Sequence, residues 1–410
     1  ASDSTIHGVN YILGENRNKF VRFLWLIVLF VAFGGFCFYF KYSYEKFVYS
    51  PDIAVKMRER NFGDFPMPAI TFCPTLLFRE SNHTGNRMNN KAECEYMAAS
   101  MQWCPRLPFL MYDNCMKMNF DMDEANVFQQ IFKKNSEIDK AVSSNAFLIP
   151  AVSRYGYCYS YNIEDVTAIY NMDAVSDDYK LLKDDQITES EWTAERGYFT
   201  EHSSYPVRFH STEFVLFKAK PVNYEMFCSA AVIVYVHLPT EAPNDSHKLF
   251  IVSMETKATL SFTFKSLRTD DALRAYSPDV RKCYFEGERK LEFFKIYSKA
   301  QCEFECYVNV TVEACKCVPF YMPRNKTTQI CKFSQLNCIE KLQSRFTKEN
   351  MPTCDCLPSC NDIKYQVDFS NSDDVRLASD RNQTALLISS VGVAVEEIES
   401  FLAYKIQNCE

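Results

Sequence analysis

The cysteines are the residues of this chain whose type and spacing most clearly predict chemistry. There are 18 in 410 residues. The densest group begins at Cys283 and continues as Cys302-x3-Cys306, Cys315-x-Cys317, Cys331, Cys338 and Cys354-x-Cys356-x3-Cys360. Thiols at this density form disulfides or zinc sites. The histidines, at positions 7, 83, 202, 210, 237 and 247, stand in no metal-ligand spacing with the cysteines, so disulfides are favoured and zinc is the weaker alternative.

Two of these cysteine pairs have spacings that match each other. On a helix, Cys302 and Cys306 would share a face about 6 Å apart along the axis. On an extended strand, Cys354 and Cys356 would share a face about 6.6 Å apart. A helix lying along that strand is therefore expected to carry two parallel rungs, with the intervening cysteines closing the tip. Each closed loop stabilises the folded chain by roughly 2 to 4 kcal/mol relative to the unfolded chain. The cross-linked segment is therefore expected to be stiff, and it is either a lever that transmits force or an inert staple.

Asparagines in Asn-x-Ser/Thr sequons predict the compartment of the chain, because such sequons are glycosylated in secreted proteins. They are Asn82, Asn244, Asn309, Asn325 and Asn382. The sequons and most of the cysteines occupy the same region. Residues 41–408 are therefore expected to lie outside the cell.

The composition excludes several classes of protein. With 47% apolar residues and 10 glycines, the chain is able to bury a core, which argues against disorder. Its net charge of -7 argues against a nucleic-acid partner, because such binders carry a basic face. The sequence has no nucleophile elbow, phosphate loop, metal-binding helix motif or histidine-centred constellation, so we expect neither an enzyme nor a cofactor. Proteins, cations and membrane lipid remain as partners.

An apolar run near the N-terminus predicts a transmembrane helix. Residues 23–40 contain no charge, and as a helix they would be about 27 Å long, which matches the bilayer core. A signal peptide is the alternative, but the run is too long and lacks a cleavage site of small residues before Lys41. A weak bias of basic residues places residues 1–22 in the cytoplasm.

The patterns that follow the apolar run indicate that the core of the ectodomain is a β-sheet. Residues 67–74 have the composition of a short strand, and the runs at 230–243 and 249–267 predict a pair of strands. Residues 385–406 hold too few uninterrupted apolar residues for a second membrane helix, so a strand is expected there as well.

Two other segments are predicted to lie outside that sheet. Residues 82–145 combine helical periodicity with three cysteines, which predicts a helical insertion stapled by disulfides. Residues 173–202 are acidic and poor in apolar side chains, which is typical of a solvated loop.

Taken with their order, these motifs resemble the epithelial-sodium-channel/degenerin superfamily. The resemblance rests on His7-Gly8 before the first helix, MPAITFCP after it, RYGYCYSYN at 154–162, the run CYFEGERKLEFFKIYSKAQCEFECYVNVTVEACKCVPFYMP from Cys283, and CDCLPSCNDIKYQVDFS from Cys354. The stretches EWTAERGYFTEHSSYPVRF and AVIVYVHLPTEAP are most similar to the insect pickpocket branch. The resemblance implies a trimer whose subunits each have a cytoplasmic N-terminus, two transmembrane helices and an ectodomain of palm, knuckle, finger, thumb and β-ball.

Mapped by these motifs, the resemblance assigns parts of the ectodomain. The thumb would be residues 283–360, and the palm would include the strands around Ile70 and at 230–238, 249–264 and 385–397. The implied disulfides are Cys73–Cys158, Cys283–Cys360, Cys302–Cys356, Cys306–Cys354, Cys315–Cys338 and Cys317–Cys331. Outside this pattern, Cys94, Cys104, Cys115 and Cys228 are expected to form two further disulfides with three possible connectivities, and Cys37 and Cys409 are expected to be free.

The resemblance also bears on the pore. His7-Gly8 matches the family's gating motif, where glycine permits backbone geometries closed to other residues. The family's second transmembrane helix, which conducts sodium, has no counterpart in this sequence. We expect the chain to have been cut near Glu410, the alternative being a native product with one helix.

The fold class expected is therefore a membrane protein of mixed α and β structure. It would have one N-terminal transmembrane helix and a large disulfide-rich β-sheet ectodomain with helical finger and thumb. The expected function is that of a subunit of a sodium-selective, amiloride-sensitive, voltage-insensitive trimeric cation channel in the plasma membrane, gated through its extracellular domain. The alternative is a single-pass, non-conducting regulatory subunit that assembles with related channel subunits. The acidic residues at 173–201 are either proton sensors or plain surface, and acid gating is not predicted.

Overall fold

The fold is given by a computed structural model of the chain. It describes residues 18–49, 53–61, 64–74, 142–143, 148–183, 192–198, 206, 214–219, 231–253, 256–331, 335–345, 354–372, 384–390 and 394–402. The α-helices in these ranges are α1 (Lys19–Tyr49), α2 (Val166–Ile169), α3 (Pro278–Arg281), α4 (Lys299–Cys315) and α5 (Leu336–Arg345). Short 3₁₀ helices cover Asp177–Leu182 and Asp271–Ala275.

The strands are numbered in chain order. They are β1 (Ile53–Asn61), β2 (Ala69–Pro74), β3 (Val142–Ser143), β4 (Ile149–Ser153), β5 (Gly156–Tyr161), β6 (Phe214–Ala219), β7 (Ala231–His237), β8 (Lys248–Ser253), β9 (Lys257–Thr269), β10 (Asp362–Ser372), β11 (Thr384–Ser390) and β12 (Ala394–Leu402).

Helix α1 contains the predicted transmembrane run. Its stretch Lys19–Lys46 is long and apolar enough to cross a bilayer, and none of that apolar window is buried inside the chain. Phe30 is 82% exposed, and the rings of Phe36, Phe40 and Tyr44 stack one helical turn apart along the helix surface. An unburied apolar helix of 31 residues is consistent with insertion into a membrane.

The chain divides into two compact units, and the second of them holds most of the described ectodomain. A five-stranded antiparallel sheet lies within this second unit. The strand order is β4-β5-β2-β7-β8. Strands β4 and β5 form a tight hairpin in which Ser153 faces Gly156. Gly156 has φ +104, a conformation that side chains with a Cβ rarely adopt.

The other described strands form a seven-stranded sheet. Its order is β1-β12-β9-β11-β6-β3, with β10 also paired to β9. Strand β10 runs antiparallel to β9 from the pair Asp362 and Leu267 to the pair Ser372 and Lys257. Strand β11 is parallel to β9 and antiparallel to β6.

The core lies between the two sheets. One apolar cluster contains inward-facing residues of both, among them Phe72 and Val234 from the five-stranded sheet and Leu260 and Phe262 from the other, and each of these four is fully buried. A second cluster joins β4 to α2, α4 and the loop at 318–330. Along β9, the buried Ala258, Leu260 and Phe262 alternate with partly exposed residues, as the sheet pleat requires, whereas β2 and β7 are buried on both faces.

The sequence prediction of the strands is partly wrong. Strands β7 and β8 pair as expected, but the run at 249–267 does not form one strand, because β8 ends at Ser253 and β9 belongs to the other sheet. The strands assigned to the palm lie in both sheets, with β2, β7 and β8 in the five-stranded sheet and β9, β11 and β12 in the seven-stranded one. The pattern of a strand fixes which face is buried but not which distant strand it pairs with.

The prediction of a solvated loop at 173–202 is only partly correct in its described parts, where Asp173, Asp177 and Lys180 are exposed. Val175, Tyr179 and Leu182 are buried in the second core cluster, and Trp192 is buried in the cluster between the sheets. The segment has many acidic residues and only a few apolar ones, but the burial of those few apolar side chains decides where the segment lies. Of the helical insertion predicted at 82–145, residues 82–141 and 144–145 lie outside the part of the chain that the structure describes, and Val142–Ser143 form β3, which is a strand and not a helix.

The first compact unit includes α1 and the segment Asp270–Lys282. In that segment the Asp270 carboxylate accepts a hydrogen bond of 2.7 Å from the Ala272 backbone N–H, which caps the 3₁₀ helix. The Arg281 guanidinium is buried and donates to the backbone carbonyl of Tyr276. The segment is thus held by its own polar contacts.

Candidate functional site: a disulfide ladder and the polar joint at its base

Helix α4 is the element around which the cysteine-rich segment is built, and we call it the ladder helix. Its first turn is capped by Ser298, whose hydroxyl accepts a hydrogen bond of 3.2 Å from the Gln301 N–H. It ends at Cys315, and the following residue, Lys316, has φ 58 and forms a left-handed C-cap. One face buries Phe304, Val308 and Thr311, so the cysteines on the neighbouring face are held at fixed positions.

Two disulfides form rungs along the ladder helix. Cys302 pairs with Cys356 and Cys306 with Cys354, with Cα–Cα distances of 5.8 and 6.2 Å. The predicted strand at the second pair is wrong, because the Cys356 N–H donates to the Cys354 carbonyl at 2.7 Å and forms a tight turn there. The chain nevertheless reaches both helix cysteines, since a disulfide accepts a range of Cα separations.

Further disulfides close the two ends of the ladder. Cys283–Cys360 closes the base, next to a backbone hydrogen bond of 2.8 Å from the Cys360 N–H to the Tyr284 carbonyl. Cys315–Cys338 and Cys317–Cys331 close the tip around the buried Ile339. In the five-stranded sheet Cys73–Cys158 joins β2 to β5. All six pairs in the described residues are pairs that the resemblance implies.

The connection between β7 and β8 carries a buried polar cluster that sequence reasoning missed. We call it the polar joint and define it as His237, Glu241 and His247. The side chains of Glu241 and His247 are 9% and 7% exposed, and Glu241 Oε2 lies 3.0 Å from His247 Nε2. The His237 and His247 rings lie 5.2 Å apart. The sequence feature that could have indicated this cluster is the spacing H-x3-E-x5-H at the end of an apolar strand.

Each histidine of the joint has a defined tautomer. His237 Nδ1 lies 2.8 Å from the Leu238 carbonyl oxygen, which only accepts, so this nitrogen carries the proton. His237 Nε2 lies 2.7 Å from Thr71 Oγ1 and accepts from that hydroxyl. His247 Nδ1 accepts from the Asn244 N–H at 3.1 Å, so its Nε2 carries the proton that Glu241 accepts.

Burial shifts the acid–base properties of the joint. Burial lowers the pKa of His237 to about 3, with repulsion from His247 adding to the effect. Burial alone would raise the pKa of Glu241, but hydrogen bonds from His247 and Ser298 and the charge of His247 lower it to about 2. Burial and the nearby Glu241 carboxylate raise the pKa of Asp362, the first residue of β10, to about 6.

Among the ion pairs elsewhere in the same unit, two are made by arginines with little exposed side chain. Arg154 Nη1 donates to Asp245 Oδ2 at 2.7 Å. Burial would lower the pKa of Arg154, but the Asp245 carboxylate holds it well above its ordinary value. The Arg324 guanidinium, which is 1% exposed, pairs with Asp178 of the 3₁₀ helix. Within the described residues no group of histidine, cysteine, aspartate or glutamate side chains has a geometry that could hold a metal ion.

The structure separates the predicted glycosylation sites. Asn309 is exposed on the ladder helix, and Asn325 is partly exposed, with its Oδ1 accepting N–H bonds from Thr327 and Thr328. Asn244 is 4% exposed, and its Nδ2 donates to the Ala242 carbonyl at 3.1 Å. Because that nitrogen is buried and hydrogen-bonded, we expect Asn244 to carry no glycan in the folded chain.

Other predicted site residues lie outside the described residues. These are His7 and Gly8 of the gating motif, Cys94, Cys104, Cys115, Cys228 and Cys409, and the sequons at Asn82 and Asn382. Cys37, on α1, is described and is free and exposed.

Comparison with known proteins gives the family. The family model described as amiloride-sensitive sodium channel matches residues 1–402. The chain is 22% identical to pickpocket protein 28 of Drosophila melanogaster, over 90% of this chain and 63% of that protein. It is 23% identical to the sodium channel protein Nach of the same species, over 90% of the chain and 71% of the relative. It is 22% identical to acid-sensing ion channel 4-B of Danio rerio, over 90% and 60%.

The match of the family model covers nearly the whole chain, although the chain spans less than two thirds of the first of these relatives. The similarity to pickpocket and Nach proteins supports the insect pickpocket-like branch. The chain therefore belongs to the amiloride-sensitive sodium channel family, whose members are ion channels and not enzymes.

Proposed function

We propose that this chain is a subunit of a sodium-selective, amiloride-sensitive, voltage-insensitive trimeric cation channel gated through its extracellular domain. The observation that supports the proposal most strongly is the disulfide ladder. Four disulfides tie the ladder helix and its flanking loops, and Cys283–Cys360 closes the segment at its base. We infer that a segment constrained in this way moves as a rigid lever, because its disulfides limit the displacement that the connections between its described elements can absorb.

The proposed topology places the lever outside the cell. Residues 1–22 are cytoplasmic, residues 23–40 cross the membrane within α1, and residues 41–408 are extracellular, with residues 283–360 as the thumb. Support comes from the length and exposure of α1 and from disulfides that persist in an oxidising compartment. The exposed sequon at Asn309 favours the same orientation.

The proposed gating path runs from the thumb to the pore. A stimulus at the ectodomain displaces the ladder, the sheets carry the displacement, and the membrane helices open. His7 and Gly8 act at the cytoplasmic mouth, where glycine supplies backbone freedom. The partners in this account are other channel subunits, identical or related, together with sodium ions and membrane lipid. Stiffness in the ladder favours transmission of a displacement over its dissipation.

The test is to express the full-length native protein in oocytes, alone and with related channel subunits, and to record whole-cell current in sodium solution. The proposal expects an inward current that amiloride blocks and whose conductance does not depend on voltage. The control is Cys37→Ser, which removes an unpaired thiol and should leave the current unchanged.

Surface biotinylation ensures that each outcome is informative. A protein that reaches the surface and adds no amiloride-sensitive current, in any combination, contradicts the proposal. A protein that is silent alone but alters the gating of a partner's current, without changing its ion selectivity or amiloride block, supports a regulatory subunit instead.

A further inference from the structure

We propose that the β7–β8 connection is a coupling joint in which Glu241 is the positioning residue. It holds the first turn of the ladder helix to the five-stranded sheet, and it loosens in acid. The joint is a feature of the folded ectodomain, and its test needs no ion current. Its failure would therefore leave the proposed channel function untouched.

Glu241 is the centre of the joint. Its Oε2 accepts the Leu238 N–H at 3.2 Å and the His247 Nε2–H at 3.0 Å. The Ser298 hydroxyl also donates to this carboxylate. Ser298 is the N-cap of the ladder helix. One buried carboxylate thus closes the β7–β8 connection on itself and binds the residue at which the ladder helix begins.

A second contact ties the same two elements together. Gln301 is fully buried, and its Nε2 donates to the Thr240 carbonyl at 3.1 Å. The next residue, Cys302, forms the first rung of the ladder. A displacement of the first rung therefore acts on the neighbouring residue, which makes a buried hydrogen bond to the β7–β8 connection.

The other side of the joint is fixed to the sheet. His237 ends β7, and its Nε2 lies 2.7 Å from Thr71 Oγ1 in β2. Thr71 Oγ1 lies 2.6 Å from Ser160 Oγ in β5. Three neighbouring strands are thus joined by side chains as well as by backbone pairing. The chain of contacts runs from β5 through His237 and Glu241 to the ladder helix.

The tautomers explain why acid loosens the joint. A second proton on His237 would occupy Nε2 and displace the hydrogen bond that this nitrogen accepts from the Thr71 hydroxyl. A second proton on His237 would place a charge on a ring that is 2% exposed and 5.2 Å from the other histidine. A buried charge without a counter-charge in contact is strongly disfavoured, so protonation favours opening of the site.

Other charged groups around the joint modify this response. Asp245 of the same connection is paired with Arg154 of the β4–β5 turn. On β10, the charges of Glu241 and Lys364 act on the pKa of Asp362, and those of Glu241 and Asp362 act on the pKa of Tyr365. Glu164, which follows β5, donates its backbone N–H to the Pro239 carbonyl at 2.9 Å. Asp362 binds a proton more readily in the folded state, so in acid it stabilises the joint while His237 destabilises it. For this reason His237 alone is substituted in the test of pH dependence.

The test is hydrogen exchange measured by mass spectrometry on the full-length protein in detergent. Exchange at 299–306 in the first turns of the ladder helix is compared with exchange at 309–315. The variants are Glu241→Gln and, as a matched control, Glu313→Gln, an exposed glutamate on the same helix. Glu241→Gln should speed exchange at 299–306 at least about tenfold, since a charged hydrogen bond is lost. It should leave 309–315 unchanged, because Cys315–Cys338 holds that end.

Two results would overturn the coupling role. One is exchange at 299–306 that equals the Glu313→Gln control. The other is a uniform rise across the ladder helix and both sheets, which means a general core role. If Glu241→Gln does not reach the surface, His247→Gln serves instead, because it removes one partner of Glu241 and keeps the carboxylate.

The acid response is tested by the pH profile. After correction for intrinsic exchange rates, exchange at 299–306 in the wild type should rise between pH 7 and pH 5. His237→Gln, which does not titrate, should lose most of that rise. An unchanged profile in His237→Gln would overturn the acid-loosening part of the proposal.

Discussion

Two asparagines illustrate how burial changes the meaning of a motif. Asn244 and Asn309 both stand in sequons, but the first is 4% exposed and bonded to the Ala242 carbonyl, and the second is exposed on the ladder helix. Sequence gives the acceptor motif at both positions, whereas only the folded chain shows which amide nitrogen reaches solvent.

The prediction for these sites is specific. Asn309→Gln should increase electrophoretic mobility of the protein from cells with a secretory pathway, and Asn244→Gln should not. Treatment with a glycosidase should abolish the difference between Asn309→Gln and the wild type. A mobility shift in Asn244→Gln would contradict the buried position of that side chain, and no glycan at Asn309 would argue against an extracellular ladder.

The histidine of the joint makes a prediction about pH and stability. The pKa of His237 falls from 6.5 to about 3 on folding, so between these values the unfolded chain binds more protons and stability is lost as pH falls below about 6.5. From pH 7.4 to 5 the wild type should lose about 2 kcal/mol relative to His237→Gln. Urea unfolding with disulfides intact, followed by the fluorescence of the buried Trp192, measures the difference.

Asp362→Asn is the matched control, with the opposite sign. The pKa of Asp362 rises from 3.8 to about 6 on folding, so the folded chain binds more protons between these values and the wild type gains stability as pH falls through 6. The wild type should therefore gain relative to Asp362→Asn over the range in which it loses relative to His237→Gln. The same sign for both variants would contradict the account of the joint.

At the scale of elements, the ladder helix was the most predictable part of the fold. The spacing of Cys302 and Cys306 suits a helix face, and the structure places both there. The spacing of Cys354 and Cys356 is compatible with a strand and with a tight turn, and local spacing alone does not choose between them. The division of the strands into two sheets depends on pairing between distant segments, so it could not be deduced from the pattern of β7, β8 and β9.

The polar joint was unpredictable for the same reason. His237 contacts Thr71, 166 residues earlier in the chain, and the Glu241 carboxylate is reached by Ser298, which caps a helix of another segment. Each of these residues alone suggests ordinary surface chemistry. Their meeting is a property of the tertiary fold, since it needs the β7–β8 connection to close over the end of the sheet.

The rungs of the ladder should be energetically coupled. Removing the Cys302–Cys356 disulfide alone frees little chain, because Cys306 is four residues from Cys302 and Cys354 is two residues from Cys356. The free energy of unfolding should therefore fall by about 2 kcal/mol. Removing both rungs leaves only the much longer loop that Cys283–Cys360 closes around them. The free energy of unfolding should then fall by about 6 kcal/mol. Serine substitutions and urea unfolding test this, with Cys37→Ser as the control for loss of a thiol. Strictly additive costs would contradict a stiff ladder.

At the scale of the whole molecule, the family was predictable from the sequence because its motifs are local. The cysteine pattern and the apolar helix are read directly from residue types and spacing, and the family model matches the same chain from residue 1 to residue 402. The relatives named above share 22% or 23% identity with it. Identity at this level fixes the class of protein and leaves the ion, the stimulus and the assembly to experiment.

Sodium conduction by the assembled protein is the property that the proposed function most depends on. The most direct measurement is the reversal potential of the amiloride-sensitive current from the full-length native protein in oocytes, recorded as external sodium is replaced by a large impermeant cation. We expect the reversal potential to follow sodium, with a shift of about 59 mV for a tenfold change in concentration. A reversal potential that ignores sodium, at a verified surface level, would contradict it.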